Sequence, residues 1–213
     1  MLWRLRDVVV VAISLVLGLG ATPLHAQKPG KLFTSPLKNF VVVVPDFGSL
    51  GLGTDGTRVQ KQNNKDGGTV AFMSGAGRLL RIDYARLPTG TILPTDSIEL
   101  QAFYHKALAD QILRTNPSSL LSERAYALDD VSMLLALVSF PAGSNLQDAV
   151  TGKHRDSVRA VLSFARGGFQ YMLHAELVAD IFTPPGETPL AMEELSRRAD
   201  NWIPDFYRSI KFN

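Results

Sequence analysis

The sequence contains no cysteine. Disulfide bridges, thiolate metal sites and anchoring through a lipid on an N-terminal cysteine are therefore excluded. An excess of charge of one sign is also missing, because 22 basic residues stand against 20 acidic ones, a formal net charge of +2. Such a balance does not suit a surface that neutralises many phosphates, so we expect no nucleic-acid partner. Stability must then come from the packing of an apolar core.

Histidine is scarce as well, with four residues in the whole chain. His105, His154 and His174 lack the paired spacing that metal ligands show, so we expect no metal ion. His105 and His174 fit ordinary structural or surface roles. The glycine spacing at 51–56 resembles that of a dinucleotide-binding loop, but the polar stretch after it has no helical pattern. We interpret 48–56 as a flexible loop and expect no cofactor.

The N-terminal 26 residues have the order of an export signal. Arg4 and Arg6 precede an apolar run at 8–21, and Ala26 offers a small residue before a cleavage point. We predict a Sec-type signal peptide at 1–26, cleaved after Ala26, and a periplasmic or secreted protein without membrane contact after cleavage. A retained anchor stays as the alternative, because Leu24 occupies a position where a small residue is preferred. The run is nevertheless short for the roughly 30 Å hydrocarbon core of a bilayer.

After the signal, the pattern predicts a tether or loosely docked arm at 27–39 and a single domain at 40–213. Strands are predicted at 40–44, 69–73 and 79–87, where glycine turns at 66–68 and 75–77 favour an antiparallel meander. The first of these is a β-branched run that we expect to be buried on both faces. In the third, Arg81 and Asp83 share a face and either form a cross-strand ion-pair ladder or line a groove.

The second half of the chain predicts more strands and two helices. Asp96 and Glu99 have the spacing of a helix N-cap, and the helix is expected to end at 116–117. A β region follows at 124–140, although its middle is ambiguous between strand and helix. Residues 158–165 and 169–177 predict a hairpin around 166–168. A last helix begins at 188–189, and Pro204 is expected to kink or split it. Its predicted buried face comprises Met192, Leu195, Ala199, Trp202, Phe206 and Ile210.

The order of strands, helix, strands and helix predicts the α+β class, an antiparallel sheet flanked by amphipathic helices. The layout resembles the Mog1/PsbP-like group of α/β/α sandwiches from about residue 39 to the end. The features that carry the resemblance are the strand at 40–45, the hairpins near 75–77 and 159–174, the helix around Phe103 and Leu108, and the closing amphipathic helix. The resemblance implies an adaptor or accessory protein without shared catalytic residues. No functional residue is carried over, and the loop at 48–56 departs from the pattern.

The densest polar cluster lies at 153–157. In one interpretation, Ser157 is a nucleophile, His154 its base and Asp156 the orienting acid, as in an exported hydrolase. Such close neighbours rarely reach that geometry, and no G-x-S-x-G turn is present to expose the serine. A solvated loop in which Arg155 or Arg159 pairs with Asp156 is the simpler interpretation.

The same cluster supplies the candidate binding residues, because its two arginines would suit an anion or an acidic partner surface. These residues are His154, Arg155, Asp156 and Arg159. The sequence therefore predicts an exported, non-enzymatic binding or accessory protein, with another envelope protein as the expected partner. An exported hydrolase and a small-ligand carrier stay open as alternatives. A carrier would need an apolar cavity between the sheet and the helices.

Overall fold

The computed structural model describes residues 25–27, 30–47, 57–74, 79–144, 147, 151–178 and 191–213. The signal peptide up to residue 24, the glycine loop at 48–56, the turn at 75–77 and the start of the last helix at 188–189 lie outside these residues. The elements in chain order are β1 (His25–Gln27), β2 (Leu32–Thr34), β3 (Phe40–Val43), β4 (Thr57–Asn63), β5 (Gly67–Ser74), β6 (Leu79–Arg86), α1 (Ser97–Leu108), a π-helical turn (Ala109–Leu113), β7 (Ser119–Leu128), β8 (Val131–Phe140), β9 (Ser157–Arg166), β10 (Phe169–Val178), α2 (Met192–Arg208) and β11 (Ile210–Phe212).

The described strands form two antiparallel sheets. The main sheet has eight strands in the order β1-β4-β5-β6-β10-β9-β8-β7. The small sheet has the order β11-β3-β2, so that the C-terminal strand pairs next to a strand from the start of the domain. Residues 30–39, which belong to the predicted tether or docked arm, contribute β2. The side chain of Phe33 in that strand is buried in the core.

Two hairpins of the main sheet have turns in which both central residues take positive φ. Gly167 and Gly168 join β9 to β10 with φ of 58° and 76°, and Asp129 and Asp130 join β7 to β8 with φ of 49° and 62°. Turns of this kind match the right-handed twist of the strands they connect. The predicted hairpin around 166–168 is confirmed. The ambiguous region around 131–138 is strand, paired on both sides.

Two predictions about the first strands are wrong. The run at 40–44 is not buried on both faces, because the side chain of Val43 is 40% exposed and Val41 is partly exposed. It also lies in the small sheet and not in the meander. The meander consists of β4, β5 and β6, and β4 corresponds to a polar stretch that the pattern does not predict as strand. Thr57 and Val59 are the two buried side chains that hold β4 against the core.

The main sheet lies between two layers, as in an α/β/α sandwich. One face, here called the core face, packs against α2 and the small sheet. Aromatic rings dominate this contact, with Phe164 of β9 lying 5.3 Å from Tyr207 of α2 and Phe40 of β3 lying 5.3 Å from Tyr84 of β6. The opposite face, here called the site face, is covered over β8 and β9 by α1 and the π-helical turn. The predicted α+β fold is confirmed by these pairings.

The two helices differ from their predicted outlines at their ends. Asp96 caps α1 as predicted, since its Oδ1 accepts from two backbone N–H groups of the first turn at 2.9 and 3.0 Å. Pro204 does not split α2, which continues to Arg208. Met192 was assigned to the buried face of α2 but is 42% exposed, whereas Ile203 is buried. Ile210, predicted on the same helix face, belongs to β11.

Candidate functional site: a polar cavity on the main sheet

The site face carries charged side chains at alternate positions of three adjacent strands. Arg81 in β6 lies directly opposite His174 in β10, and Arg159 in β9 lies opposite Glu176 in β10. Asp83 follows Arg81 on the same face of β6. Because successive side chains of a strand point to opposite faces, residues two apart share a face. The order β6-β10-β9 therefore gathers five ionisable groups on one patch of sheet.

A cavity of about 450 Å³ lies over this patch, between the site face, the π-helical turn and the loop after β8. We call it the sheet-face cavity. Three strand positions with small or apolar side chains, Ala71, Met73 and Met172, form part of its wall beside the charged ones. Its polar lining consists of Gln60, Gln62, Thr69, Arg81, Asp83, Gln111, Asn116, Ser144, His154, Arg159 and His174.

Asp83 is the carboxylate of the cavity, and three donors occupy its two oxygens. Oδ1 accepts from Thr69 Oγ1 at 2.5 Å and from Arg81 Nε at 2.9 Å. Oδ2 lies 2.9 Å from His174 Nε2. Burial alone would raise the pKa of Asp83, but the positive charge of Arg81 and the hydrogen bond with His174 outweigh it and hold that pKa well below its ordinary value. The carboxylate is therefore ionised, and both of its oxygens have donors beside them.

His174 is 2% exposed and forms part of the cavity wall. Burial lowers its pKa; the hydrogen bond and charge of Asp83 oppose this, and the charges of Arg81 and Arg159 add to it. The net direction is downward, which makes the imidazole neutral. Since the Asp83 carboxylate can only accept, the proton of the neutral imidazole is assigned to Nε2, which lies 2.9 Å from Oδ2. That approach is not a well-formed hydrogen bond, and among the described residues the buried Nδ1 has no partner.

Arg159 is almost completely buried, with 8% of its surface exposed. Its Nε donates to Ser157 Oγ at 3.3 Å, its Nη2 donates to the carbonyl oxygen of Gly143, and its guanidinium lies 4.5 Å above the ring of Phe140. Burial lowers the pKa of Arg159, the nearby Glu176 carboxylate raises it, and the positive charge of Arg81 lowers it again. The two guanidinium groups are thus close enough to repel each other.

The predicted cluster at 153–157 divides between the solvent and this cavity. His154 is exposed and lines the cavity, and its Nδ1 lies 2.9 Å from the carbonyl oxygen of Ser144. Asp156 is exposed and accepts from the backbone N–H of Ala142 at 2.9 Å. Arg155 is half-buried and does not line the cavity. Of the four candidate binding residues, the structure therefore brings His154 and Arg159 to the cavity.

The alternative nucleophilic arrangement does not assemble. Ser157 is completely buried, and its hydroxyl accepts from Arg159 instead of donating to His154. Successive strand residues diverge, so Asp156 faces solvent where Ser157 faces the interior. A nucleophile must lie within hydrogen-bond distance of its base and must be accessible to a substrate. In the described part of the chain, Ser157 has no hydrogen bond with His154 and is not exposed.

Sequence reasoning identified only part of this site. Arg81 and Asp83 were expected to share a face and either pair across strands or line a groove. They line the cavity, and their ion pair of 2.9 Å runs along β6 and not across to a neighbouring strand. His174 was interpreted as an ordinary histidine. The signal available in the sequence was a charged residue at every second position of an otherwise apolar strand, as in β6 and β10.

None of the helices in the described ranges is both long and apolar enough to cross a bilayer. Across the same ranges, no three histidine or acidic side chains come together as metal ligands would.

The chain is similar to a solved structure. No protein-family model matches the chain, and no curated protein matches it. The solution structure of cyanobacterial PsbP (CyanoP) from Synechocystis sp. PCC 6803 is similar over 92% of this chain and 99% of that chain, with a TM-score of 0.47 and 10% sequence identity. The α+β fold is shown by the strand pairings described above.

Proposed function

We propose that this protein is an exported, non-enzymatic binding protein that holds a small polar molecule in the sheet-face cavity. The observation that carries the proposal is the cavity of about 450 Å³ with Arg81, Asp83, Arg159 and His174 in its wall. Cavities of roughly 300–1,000 Å³ with a few placed polar groups are typical of small-molecule sites. Buried charges are expensive to keep, and groups with shifted pKa values concentrate at functional sites.

This function is the one predicted from the sequence, a non-enzymatic binding protein, but the binding site is the sheet-face cavity and not the polar cluster at 153–157. The predicted carrier needed an apolar cavity, whereas this one mixes apolar and charged walls, so its ligand is polar. The signal peptide predicted at 1–26 supports a location in the periplasm or outside the cell, where an envelope protein would be the natural partner of a ligand-binding protein. The hydrolase alternative loses its support because Ser157 is buried and bonded to Arg159.

The direct test replaces a small residue in the cavity wall with a larger one that fills the cavity. Ala71 lines the cavity and pairs with Arg81 across β5 and β6, so an Ala71→Phe side chain would occupy the space above that arginine. Binding of matched small molecules, charged and neutral, is measured by ligand-observed NMR on the full chain, which keeps β1 intact. Ala102→Phe on the exposed side of α1 is the control, and Ala71→Leu is a smaller filler if the phenylalanine prevents folding.

We expect the wild type and Ala102→Phe to bind the same members of the set, and Ala71→Phe or Ala71→Leu to lose them while keeping the wild-type circular dichroism spectrum. Binding that survives in both folded fillers would place the ligand elsewhere and contradict the proposal. The absence of any bound member in the wild type would contradict it as well.

A further inference from the structure

We infer that the ligand of the sheet-face cavity carries a compact oxyanion, a carboxylate or a phosphate, and that the guanidinium of Arg81 binds it. This inference rests on the proposed function and adds the chemical class of the ligand. It follows from three observations: the terminal nitrogens of Arg81 that are not used within the protein, the donors already beside both oxygens of Asp83, and the guanidinium of Arg159 in the wall of the same cavity.

Arg81 has a terminal fork that the protein does not use. Its Nε donates to Asp83, but the described residues offer no acceptor within hydrogen-bond distance to either terminal nitrogen. The side chain is only 17% exposed, so bulk water has limited access to it. A guanidinium presents two parallel N–H donors that match both oxygens of a carboxylate or two oxygens of a phosphate. The two terminal nitrogens of Arg81, on a side chain with little solvent exposure, can therefore donate to such a ligand.

Asp83 orients Arg81 but does not compete with a ligand for the fork. Its Oδ1 accepts from Thr69 and from Nε of Arg81, and its Oδ2 lies 2.9 Å from His174 Nε2. The Nε hydrogen bond restrains the guanidinium and uses neither of its terminal nitrogens. Asp83 is in this sense a positioning residue. Because it is the single carboxylate in the described cavity lining, a cationic ligand would find no other acidic partner there.

Arg159 places a second positive charge beside the first. It lines the same cavity; burial lowers its pKa, the Glu176 carboxylate raises it, and the positive charge of Arg81 lowers it further. Arg81 and Arg159 lie on the two strands that flank β10, offset by two residues along it. An anion between them would relieve their mutual repulsion. The remaining polar wall adds amide side chains, among them Gln60, Gln62 and Asn116, which can donate to anion oxygens.

The test compares succinate and inorganic phosphate with succinamide, the uncharged diamide of succinate, by isothermal titration calorimetry at constant ionic strength. The variants are Arg81→Gln, which removes the charge, and Arg81→Lys, which keeps the charge but removes the fork. Arg208→Gln on α2 is the matched control, because it removes one positive charge from an exposed arginine on the other side of the sheet. Thermal melting of each variant confirms that it is folded.

We expect succinate, phosphate or both to bind the wild type, and succinamide to bind much more weakly. Arg81→Gln should weaken the affinity for the anion by about tenfold or more, because one or two charge-assisted hydrogen bonds are lost. The affinity of Arg81→Lys should lie between those of the wild type and Arg81→Gln, and the affinity of Arg208→Gln should equal that of the wild type. A preference for succinate or for phosphate identifies which oxyanion the cavity is built for, and either supports the inference.

Three results would overturn it. In the first, succinamide binds as tightly as succinate, and Ala71→Phe abolishes its binding. This result would support a ligand in the cavity but contradict the claim that the ligand must be an anion. Equal weakening in Arg208→Gln and Arg81→Gln would mean that the anion binds only to the general charge of the surface. No binding of any of these probes at millimolar concentrations would contradict the inference, and would contradict the proposed function too if the wider set of neutral and charged molecules also failed.

Discussion

The buried imidazole of His174 makes the stability of this protein depend on pH. Burial lowers its pKa below the ordinary value of 6.5, the contacts with Asp83 oppose the shift, and Arg81 and Arg159 favour it. The unfolded chain exposes this histidine and takes up a proton more readily than the folded protein does. Since the unfolded state binds more protons, the free energy of unfolding is greatest above the ordinary pKa and falls as the pH falls.

The size of the effect follows from the ordinary pKa and the constant of about 1.4 kcal/mol per pKa unit. If the folded protein keeps His174 neutral throughout, protonation of the unfolded chain lowers the free energy of unfolding by about 2 kcal/mol between about pH 7 and pH 5. This is an upper limit, because any proton uptake by the folded state reduces it. The contribution of Asp83 does not fall in this window, because its pKa lies well below its ordinary value and its stabilisation is lost only at more acidic pH.

The assay is urea unfolding at several pH values across that range, on the wild type, on His174→Gln and on His105→Gln. The glutamine amide can still donate to Asp83 but does not titrate, so His174→Gln should lose most of the decline. His105 is a part-exposed histidine on α1 that pairs with Glu123, and its replacement should leave the decline in place. The quantity compared is the change in unfolding free energy from the highest to the lowest pH.

Two results would refute this reasoning. A wild type that becomes more stable on acidification would mean that His174 is protonated in the fold and forms an ion pair with Asp83, so that the carboxylate outweighs burial. An equal decline in the wild type and in His174→Gln would assign the pH dependence to other groups. Either outcome would remove the neutral imidazole from the description of the cavity.

Three further changes test the local structure by urea unfolding at neutral pH. Asp96→Ala removes the cap of α1 and should lower the free energy of unfolding by about 1 kcal/mol, and an unchanged value would contradict the cap. Tyr104→Phe removes the hydroxyl that accepts from the half-buried N–H of Ala165 at 3.0 Å, and we expect a loss of about 1 kcal/mol in the free energy of unfolding. Gly67→Ala would place a Cβ 2.4 Å from the carbonyl oxygen of Tyr84, so a loss of about 1–3 kcal/mol or more is expected, and a neutral result would refute the close strand approach.

The sequence predicts those parts of the fold that depend on local chemistry. The hairpin at 166–168 follows from two adjacent glycines between apolar runs, since only a turn with positive φ joins such strands tightly. The cap at Asp96 follows in the same way from a side chain that can reach the first-turn N–H groups. Each of these depends on residues within a few positions of one another.

The parts that sequence does not predict depend on distant pairings. β4 has just two inward side chains, Thr57 and Val59, so its alternation is too short to distinguish it from a polar loop. The run at Phe40–Val43 is the central strand of the small sheet, where it joins β11 from the chain end, a pairing that the local pattern does not encode. A β-branched run suits a half-exposed strand as well as a buried one.

The candidate site shows the same division. The alternation in β6 places Arg81 and Asp83 on one face, and this much can be predicted. Their meeting with His174 requires β6 to pair with β10, about ninety residues later, and that register is known only from the structure. Arg159 falls in the predicted strand at 158–165 and was expected to pair with Asp156 at its solvated start, but it is buried in β9 and lines the cavity.

A crystal structure of the protein grown with succinate or phosphate is the most direct measurement of the central claim. We predict density for the anion in the sheet-face cavity, with two of its oxygens at hydrogen-bond distance from the terminal nitrogens of Arg81 and with Asp83 still bonded to Nε. An empty cavity in which those nitrogens are bonded to a carbonyl or carboxylate of the protein itself would contradict the account.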